Sequence, residues 1–433
     1  MTLPRRAKYS GSTRGLALAF DIGTTFSGIS YSILDPGRVS EIRPITRYPC
    51  QEHVGGDMKV PTVVYYDHLG KPRAIGAEAL KEGIEVEAEE QGWVKSHWFK
   101  LHLRPKSTTW RARDEEPLPP LPPNKPIEHI FADFMAYLYR CSEDFIAQTH
   151  GEVTWKSVQK NIYYILTHPN GWGGPQQAGM RRAAVLAGLV SESAEDQSRI
   201  TFVTEGEASL HYCLLNGLTV DGMDGTAGIT IVDAGGGYYQ GAVFVTRRAE
   251  VHFNNALAGT KYRQDVPTIT NAFDKSAKHV FRKVDEPLQI RFASPSENDA
   301  ALNIRSGRII VDGITLAQFF EPSVSCVVDA IKVQNGNLKS HCPIKSAFLV
   351  GGFSASDWLY DQVREAIEPL GISVLRPDTH RVKYSERLKK LYCEITFDVI
   401  LLFGLTELQA QIAFVDSSGE EKRGPAQVVY EKV

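Results

Sequence analysis

Residues 16–34 read Leu16-Ala-Leu-Ala-Phe-Asp21-Ile-Gly-Thr-Thr-Phe-Ser-Gly28-Ile-Ser-Tyr-Ser-Ile-Leu34. Leu16, Leu18, Phe20 and Ile22 alternate with small or polar residues, and Ile29, Tyr31 and Ile33 alternate again after the turn. Period-2 alternation on both sides of Gly-Thr-Thr predicts two antiparallel strands joined by a tight turn. The turn is rich in backbone N–H groups and hydroxyls, and its glycine lets the backbone approach an anion, so it can cradle a phosphate. Asp21 ends the first strand, where a carboxylate can organise a metal ion or its waters. Alone, the stretch is equally an ordinary hairpin.

A second copy changes the weighing. Ile229-Thr-Ile-Val-Asp233-Ala-Gly-Gly-Gly-Tyr-Tyr-Gln-Gly-Ala-Val-Phe-Val245 repeats the plan: an apolar strand ending in Asp, a small-residue turn and an apolar strand leaving. Two such hairpins predict two similar half-domains presenting phosphate loops to a shared cleft.

The chain has 433 residues, enough for two sizeable halves. With 48 basic against 51 acidic residues, net charge −3, it gives no electrostatic case for nucleic acid or an anionic membrane. Its 6 cysteines show no CxxC pair and read as reduced thiols of a cytoplasmic or nuclear protein. Met1 to Lys8 lacks the apolar core of a secretory signal. The dense apolar run Val399 to Phe403 is far short of the roughly 20 residues of a membrane helix.

Along the chain, Val60 to Tyr66 and Lys160 to Thr167 read as strands, and Ile127 to Thr149 as a helix with an apolar stripe. Glu115 to Pro126 is proline-dense and extended, with PxxP spacing that an SH3-type partner reads. Gln176 to Leu189 and Leu316 to Lys332 read as helices. Phe202 to Leu215 is a strand end followed by a helix, with Glu205 and Glu207 at the junction, where acids commonly compensate a helix dipole. At Ala347 to Tyr360 a strand meets a helix through Gly351-Gly352, with Ser354 or Ser356 as its cap.

These motifs, in this order, resemble the nucleotide-binding domain of the seventy-kilodalton heat-shock protein family, in the divergent branch that lacks the usual peptide-binding domain. The similarity runs over residues 15–215, 227–260 and 309–378 and includes Val60-Pro-Thr, Ile75-Gly-Ala-Glu-Ala, Arg181-Arg-Ala-Ala-Val-Leu-Ala-Gly-Leu189 and Leu349-Val-Gly-Gly-Phe-Ser354. It implies an α/β, actin-like (ribonuclease H-like) two-lobed ATPase domain with ATP or ADP and Mg²⁺ in the cleft. The implied layout is a tail over 1–14, lobe I over 15–222 with an upper subdomain near 48–126, lobe II over 223–378 with a reduced upper subdomain near 259–308, and an atypical segment over 379–433. By resemblance, Gly23, Thr24, Thr25 and Phe26 hold phosphates from one side, and Gly235, Gly236, Gly237 and Tyr238 from the other. Asp21 and Asp233 organise hydrated Mg²⁺ with Glu205 nearby, and Lys100, with Lys95 as fallback, reaches the γ-phosphate and the attacking water. Gly259, Gly351, Gly352 and Ser354 contribute to the nucleoside side, and Lys278 reaches the base. Implied partners beyond nucleotide are client or co-chaperone proteins.

The departures bear on catalysis. Tyr238, Tyr239 and Gln240 stand where the family has threonine, a hydrophobe and an acid. An uncharged Gln240 cannot accept a proton, and losing a catalytic acid or base costs about 10²–10⁴-fold in rate. Three readings follow: an ATP-binding protein with weak or lost ATPase, an inactive scaffold or pseudo-chaperone, and a small-molecule kinase of the sugar-kinase type. Single-turnover hydrolysis distinguishes them in part. The wild type is expected to be slow, and Tyr238→Thr with Gln240→Asp to speed it; a fast wild type that the double change leaves unimproved contradicts this reading of the departures.

Overall fold

The computed structural model describes residues 7–51, 58–105, 118–215, 228–235, 241–338 and 343–376, together with strand segments 382–385, 390–393, 398–403, 408–415, 421–423 and 427–428. The chain is mixed α/β, with two main hydrophobic cores.

In the first half, β1 (Gly15–Ile22) pairs antiparallel with β2 (Phe26–Leu34). Against β2 lie β3 (Arg43–Pro44) and β4 (Val60–Pro61), also antiparallel. Next, β5 (Val63–Tyr66), β6 (Pro72–Ile75) and β7 (Val94–His97) form a small antiparallel sheet beside α1 (Ile84–Glu90). The chain continues through α2 (Ile127–His150), α3 (Glu152–Val158), β8 (Ile162–His168), α4 (Gly174–Leu186), α5 (Ala194–Gln197), β9 (Ile200–Thr204) and α6 (Glu205–Leu215). β8 adds parallel to β1, and β9 parallel to β8.

The alternation that predicts β1 is also what buries it: Leu16, Leu18, Phe20 and Ile22 are fully enclosed. Helix α2 covers the sheet with Ile130, Phe134, Leu138 and Cys141, spaced to share one helical face. Pro126 precedes its first residue, and Gly151 with φ of 87° ends it.

The second half holds β10 (Gly228–Asp233), α7 (Ala242–Ala256), α8 (Val266–Ala272), a π-helical turn (Phe273–Ala277), α9 (Lys278–Val280), β11 (Leu288–Arg291), β12 (Ile304–Arg305), β13 (Arg308–Val311), α10 (Gly313–Leu338), β14 (Ile344–Val350), α11 (Asp357–Ile367) and β15 (Ser373–Leu375). One sheet is parallel in the order β10-β14-β15, and another is antiparallel in the order β11-β13-β12. Cys213 of α6 packs against Phe348 and Val350 of β14, with Ile229 and Ile231 of β10 alongside, so the first half's last helix lies on the second half's sheet. Beyond residue 376, β16 (Val382–Ser385) pairs with β17 (Lys390–Cys393). There too β18 (Asp398–Phe403), β19 (Leu408–Val415), β20 (Glu421–Arg423) and β21 (Gln427–Val428) form an antiparallel sheet.

The second half departs from the sequence reading at one decisive place. The strand expected to return after Asp233, ending at Val245, is instead the first turn of α7. Val245, Ala249 and Phe253 recur every fourth residue and are buried, so helical periodicity over fifteen residues prevails over a short β-branched run. Among the described residues the strand–turn–strand plan of β1 and β2 is therefore not repeated after β10.

Among the described residues one helical span, Gly313–Gly336, is long and apolar enough to cross a membrane by length and composition. It buries Leu316, Phe320, Val324, Val328 and Ile331 along one face in the second core. The described cysteines Cys50, Cys141, Cys213 and Cys326 are free thiols.

Phe320 is fully buried, its ring centroid 5.6 Å from that of Phe281 and 6.0 Å from that of Phe353. Phe320→Ala is expected to lower unfolding free energy by about 3–5 kcal/mol through lost burial and a residual cavity. Chemical denaturation checks this; a loss under about 1 kcal/mol would mean the cluster does not hold this core.

Candidate functional site

The turn after β1 is locked by side chains. The Gly23 N–H donates to Ser27 Oγ at 3.2 Å, and Ser27 Oγ and Thr62 Oγ1 share a buried hydrogen bond of 2.7 Å. The Thr62 N–H closes the set by donating to Thr25 O at 2.8 Å. A Cβ at Gly23 would sit 2.2 Å from Phe26 O, so only glycine permits this turn. Phe26 itself is 54% exposed at the turn's edge.

Asp21 stands at the end of β1 beside this turn. Its Oδ1 accepts from Thr167 Oγ1 at 3.2 Å, and its Oδ2 is ion-paired with Lys59 Nζ. Burial opposes ionisation of Asp21, but the ammonium groups of Lys59 and Lys100 outweigh it and hold its carboxyl below the ordinary value.

Lys100 reaches the same place from the turn that follows β7. Trp98 takes a left-handed conformation, φ of 54°, and turns the chain into the helical turn Phe99–Leu103 that aims Lys100 inward. Its side chain is only 7% exposed, and Nζ donates to Glu205 Oε1 at 2.5 Å. The ammonium also lies 5.8 Å from the ring centroid of Trp172. Glu205 begins α6 directly after β9, where the Gly206 N–H donates to Asn170 Oδ1 at 3.2 Å.

Asp233, the last residue of β10, lies close enough to Glu205 to feel its charge. Surrounding protein and the charges of Glu205 and Asp21 push its carboxyl up to about 6, with Lys100 pulling the other way. Behind it, Ala234 and β14 interlock: the Ala234 N–H donates to Val350 O at 2.7 Å and the Phe353 N–H to Ala234 O at 2.8 Å. Gly351 has φ of 87°, and a Cβ there would fall 2.2 Å from Asp233 Oδ1. The Ser354 hydroxyl donates to Gly351 O at 2.7 Å, whereas Ser356 caps α11.

The structure thus brings together Asp21, Lys100, Glu205 and Asp233, with Gly23 to Thr25 beside the first acid and Gly351 against the last. Gly235 follows Asp233 closely. Gly236, Gly237 and Tyr238 lie outside the described residues, as does Gln240. Lys278 is engaged elsewhere: it is paired with Asp274 one helical turn earlier, and it donates to Thr246 Oγ1 at 3.1 Å and Ala242 O at 3.4 Å. Gly259, φ of 73°, makes the turn after α7 with open space around it. Gly352 likewise has open space around it. Lys95 pairs with Glu85 on the small sheet's edge.

Three carboxylates face two ammonium groups here, an excess of one negative charge that shows itself in the raised Asp233. Among the described residues no group of three or more His, Cys, Asp or Glu side chains forms a metal cage. One or two carboxylates with waters and phosphate oxygens suffice for Mg²⁺, and oxygen donors short of one positive charge fit such an ion. A shallow cavity of about 430 Å³ lies between Asn170, Gly206, Glu207 and Leu210 on one side and Ile229 to Ile231 and Gln334 on the other, and none of the four clustered charges lines it. Sequence reasoning did not single out Lys59, Thr167 or Asn170; the signal for Lys59 is its place directly before Val60-Pro-Thr.

No family model matches the chain. Over 222 residues, 48% of its length, it is 26% identical to heat shock 70 kDa protein 12B of Homo sapiens. The match supports a distant relationship to the heat shock 70 kDa proteins. The aligned part spans 29% of that relative's length.

The Asp233 carboxyl gives a pH test in metal-free buffer. Its folded value, about 6, lies above the ordinary 3.8, so the folded chain binds the proton more tightly than the unfolded chain. The group therefore costs no stability in acid below the ordinary value and progressively more as pH rises through the raised one. Asp233→Asn is expected to gain about 1 kcal/mol at pH ~8, after allowance for solvent screening, and nothing near pH ~4. Urea denaturation at the two pH values measures it; a loss at the higher pH would contradict the crowding of carboxylates.

Proposed function

We propose that this chain is a nucleotide-binding domain of the heat shock 70 kDa type, holding ATP or ADP with Mg²⁺ between two actin-like lobes and hydrolysing ATP weakly or not at all. The observation that carries this reading is the meeting of Asp21 and Asp233, each ending a parallel-paired strand of a different sheet, with Lys100 and Glu205 between them. Ligands of α/β sheets gather at such carboxyl ends. The distant relationship supports the same reading.

In this reading the Gly23 to Thr25 turn offers amides and hydroxyls to phosphate oxygens. Asp21 and Asp233 hold the waters of the metal, which when bound neutralises charge on the phosphates. Lys100, fixed by Glu205 and the Trp172 face, presents a positive charge to the space between the aspartates. Hydrolysis is nevertheless expected to be poor, because Gln240 lacks an acid's charge and the residues after the second turn enter a helix rather than a returning strand. That helix is also what favours the second reading, a scaffold that holds nucleotide without turnover.

Calorimetric titration with Mg-ATP tests the reading. Saturable binding is expected, and Lys100→Met is expected to weaken it by about tenfold by removing a buried charge partner. Absence of heat and of any thermal shift at millimolar Mg-ATP would sink the proposal.

A further inference from the structure

Lys59, Gly28 and Asp21 stand side by side across three neighbouring strands. In β1 and β2, Asp21 is opposite Gly28; in β2 and β4, Ser27 is opposite Val60, which puts Lys59 next to Gly28. A Cβ on Gly28 would lie 3.1 Å from Lys59 Cδ and 3.6 Å from Cε, so the lysine stem passes over the glycine. The backbone end of Lys59 is fixed as well, its carbonyl accepting from Gln51 Nε2 at 2.9 Å. The lane delivers the ammonium to Asp21 Oδ2, while Thr167 occupies Oδ1. Thus the oxygen of Asp21 open to a cation already carries one.

The two lysines of the site differ in exposure. Lys100 is 7% exposed and locked on Glu205, whereas the Lys59 side chain is 47% exposed and its partner 43%. Pairs as exposed as Lys59 with Asp21 are weak and exchange readily. A lysine ammonium is a compact point charge on a flexible stem, able to move from one anion to another nearby.

We propose that Lys59 is a resident, exchangeable cation that sets the metal dependence of this site. It competes with a divalent ion for Asp21. When displaced, it swings along the Gly28 lane onto phosphate oxygens at the Gly23 to Thr25 turn. Two consequences follow. Divalent ion alone binds poorly to the wild type, because it must expel a positive charge. A polyphosphate, by contrast, keeps appreciable affinity without metal, because one cation is built in. The second consequence rests on the nucleotide reading; the first does not.

Binding of Mn²⁺ alone to the full chain, followed by electron paramagnetic resonance, tests the competition. Lys59→Met keeps the stem over Gly28 and removes the charge, and should bind Mn²⁺ about tenfold more tightly than wild type. Lys59→Arg should behave as wild type, and adding Asp21→Asn to Lys59→Met should abolish the gain. In chelator, ADP affinity should fall about fivefold in Lys59→Met. Unchanged or weaker Mn²⁺ binding by Lys59→Met, no Mn²⁺ binding by either protein, or a gain that survives Asp21→Asn overturns the proposal. If Mn²⁺ behaves as expected but ADP fails to bind the wild type with or without metal, the nucleotide reading falls and the competition at Asp21 stands.

Discussion

Three carboxylates and two ammonium groups meet where strands from two sheets end, and the surrounding architecture is what makes that meeting possible. Like charges brought close in partly enclosed surroundings raise one another's cost of ionisation, so such a cluster persists only on a framework stiff enough to hold it. The stiffness is local and identifiable. Ser27 and Thr62 knit the first turn, Asn170 holds the start of α6, and Gly351 lets β14 press directly on Asp233. Behind these lie the fully buried faces of β1 and β14.

The two ends of the cluster are built on different principles. Around Asp21 the positive charge is supplied by side chains, one half-exposed and one buried. Around Asp233 it comes from Lys100, which is already paired with Glu205, and the carboxyl there is lifted to about 6. A ligand bringing a positive charge gains most at the second acid, and one bringing negative charge gains most at the first. On the proposed reading, that polarity is what would orient a phosphate chain with its metal.

Much of this was legible in the sequence, for reasons that differ by residue. The β1 hairpin is written twice over, in alternation and in a glycine that nothing else replaces. Glu205 was legible as the first residue after a strand, and Lys100 entered only through resemblance; its burial depends on the left-handed Trp98, which no pattern announces. The segment after Asp233 misled because Ala242 to Val245 satisfies both periods, and the buried residues that decide for a helix, Ala249 and Phe253, come later. Lys278, which by resemblance reaches the base, pairs in the structure with an acid four residues earlier. Lys59 was invisible because its meaning lies in the register between three strands, and a lysine before a strand is ordinary.

The replacement of a returning strand by α7 leaves β10 as a sheet rim, hydrogen-bonded among the described residues to β14 alone. Its sequence, Gly228-Ile-Thr-Ile-Val-Asp233, is β-branched through its centre and carries no lysine or proline, the residues that usually guard such a rim. Natural sheets discourage edge-to-edge association with such residues or with a covering element, and among the described residues α6 packs on this strand. Self-association growing with concentration is the behaviour such a rim favours, so solubility becomes a property of the same strand that carries the second acid.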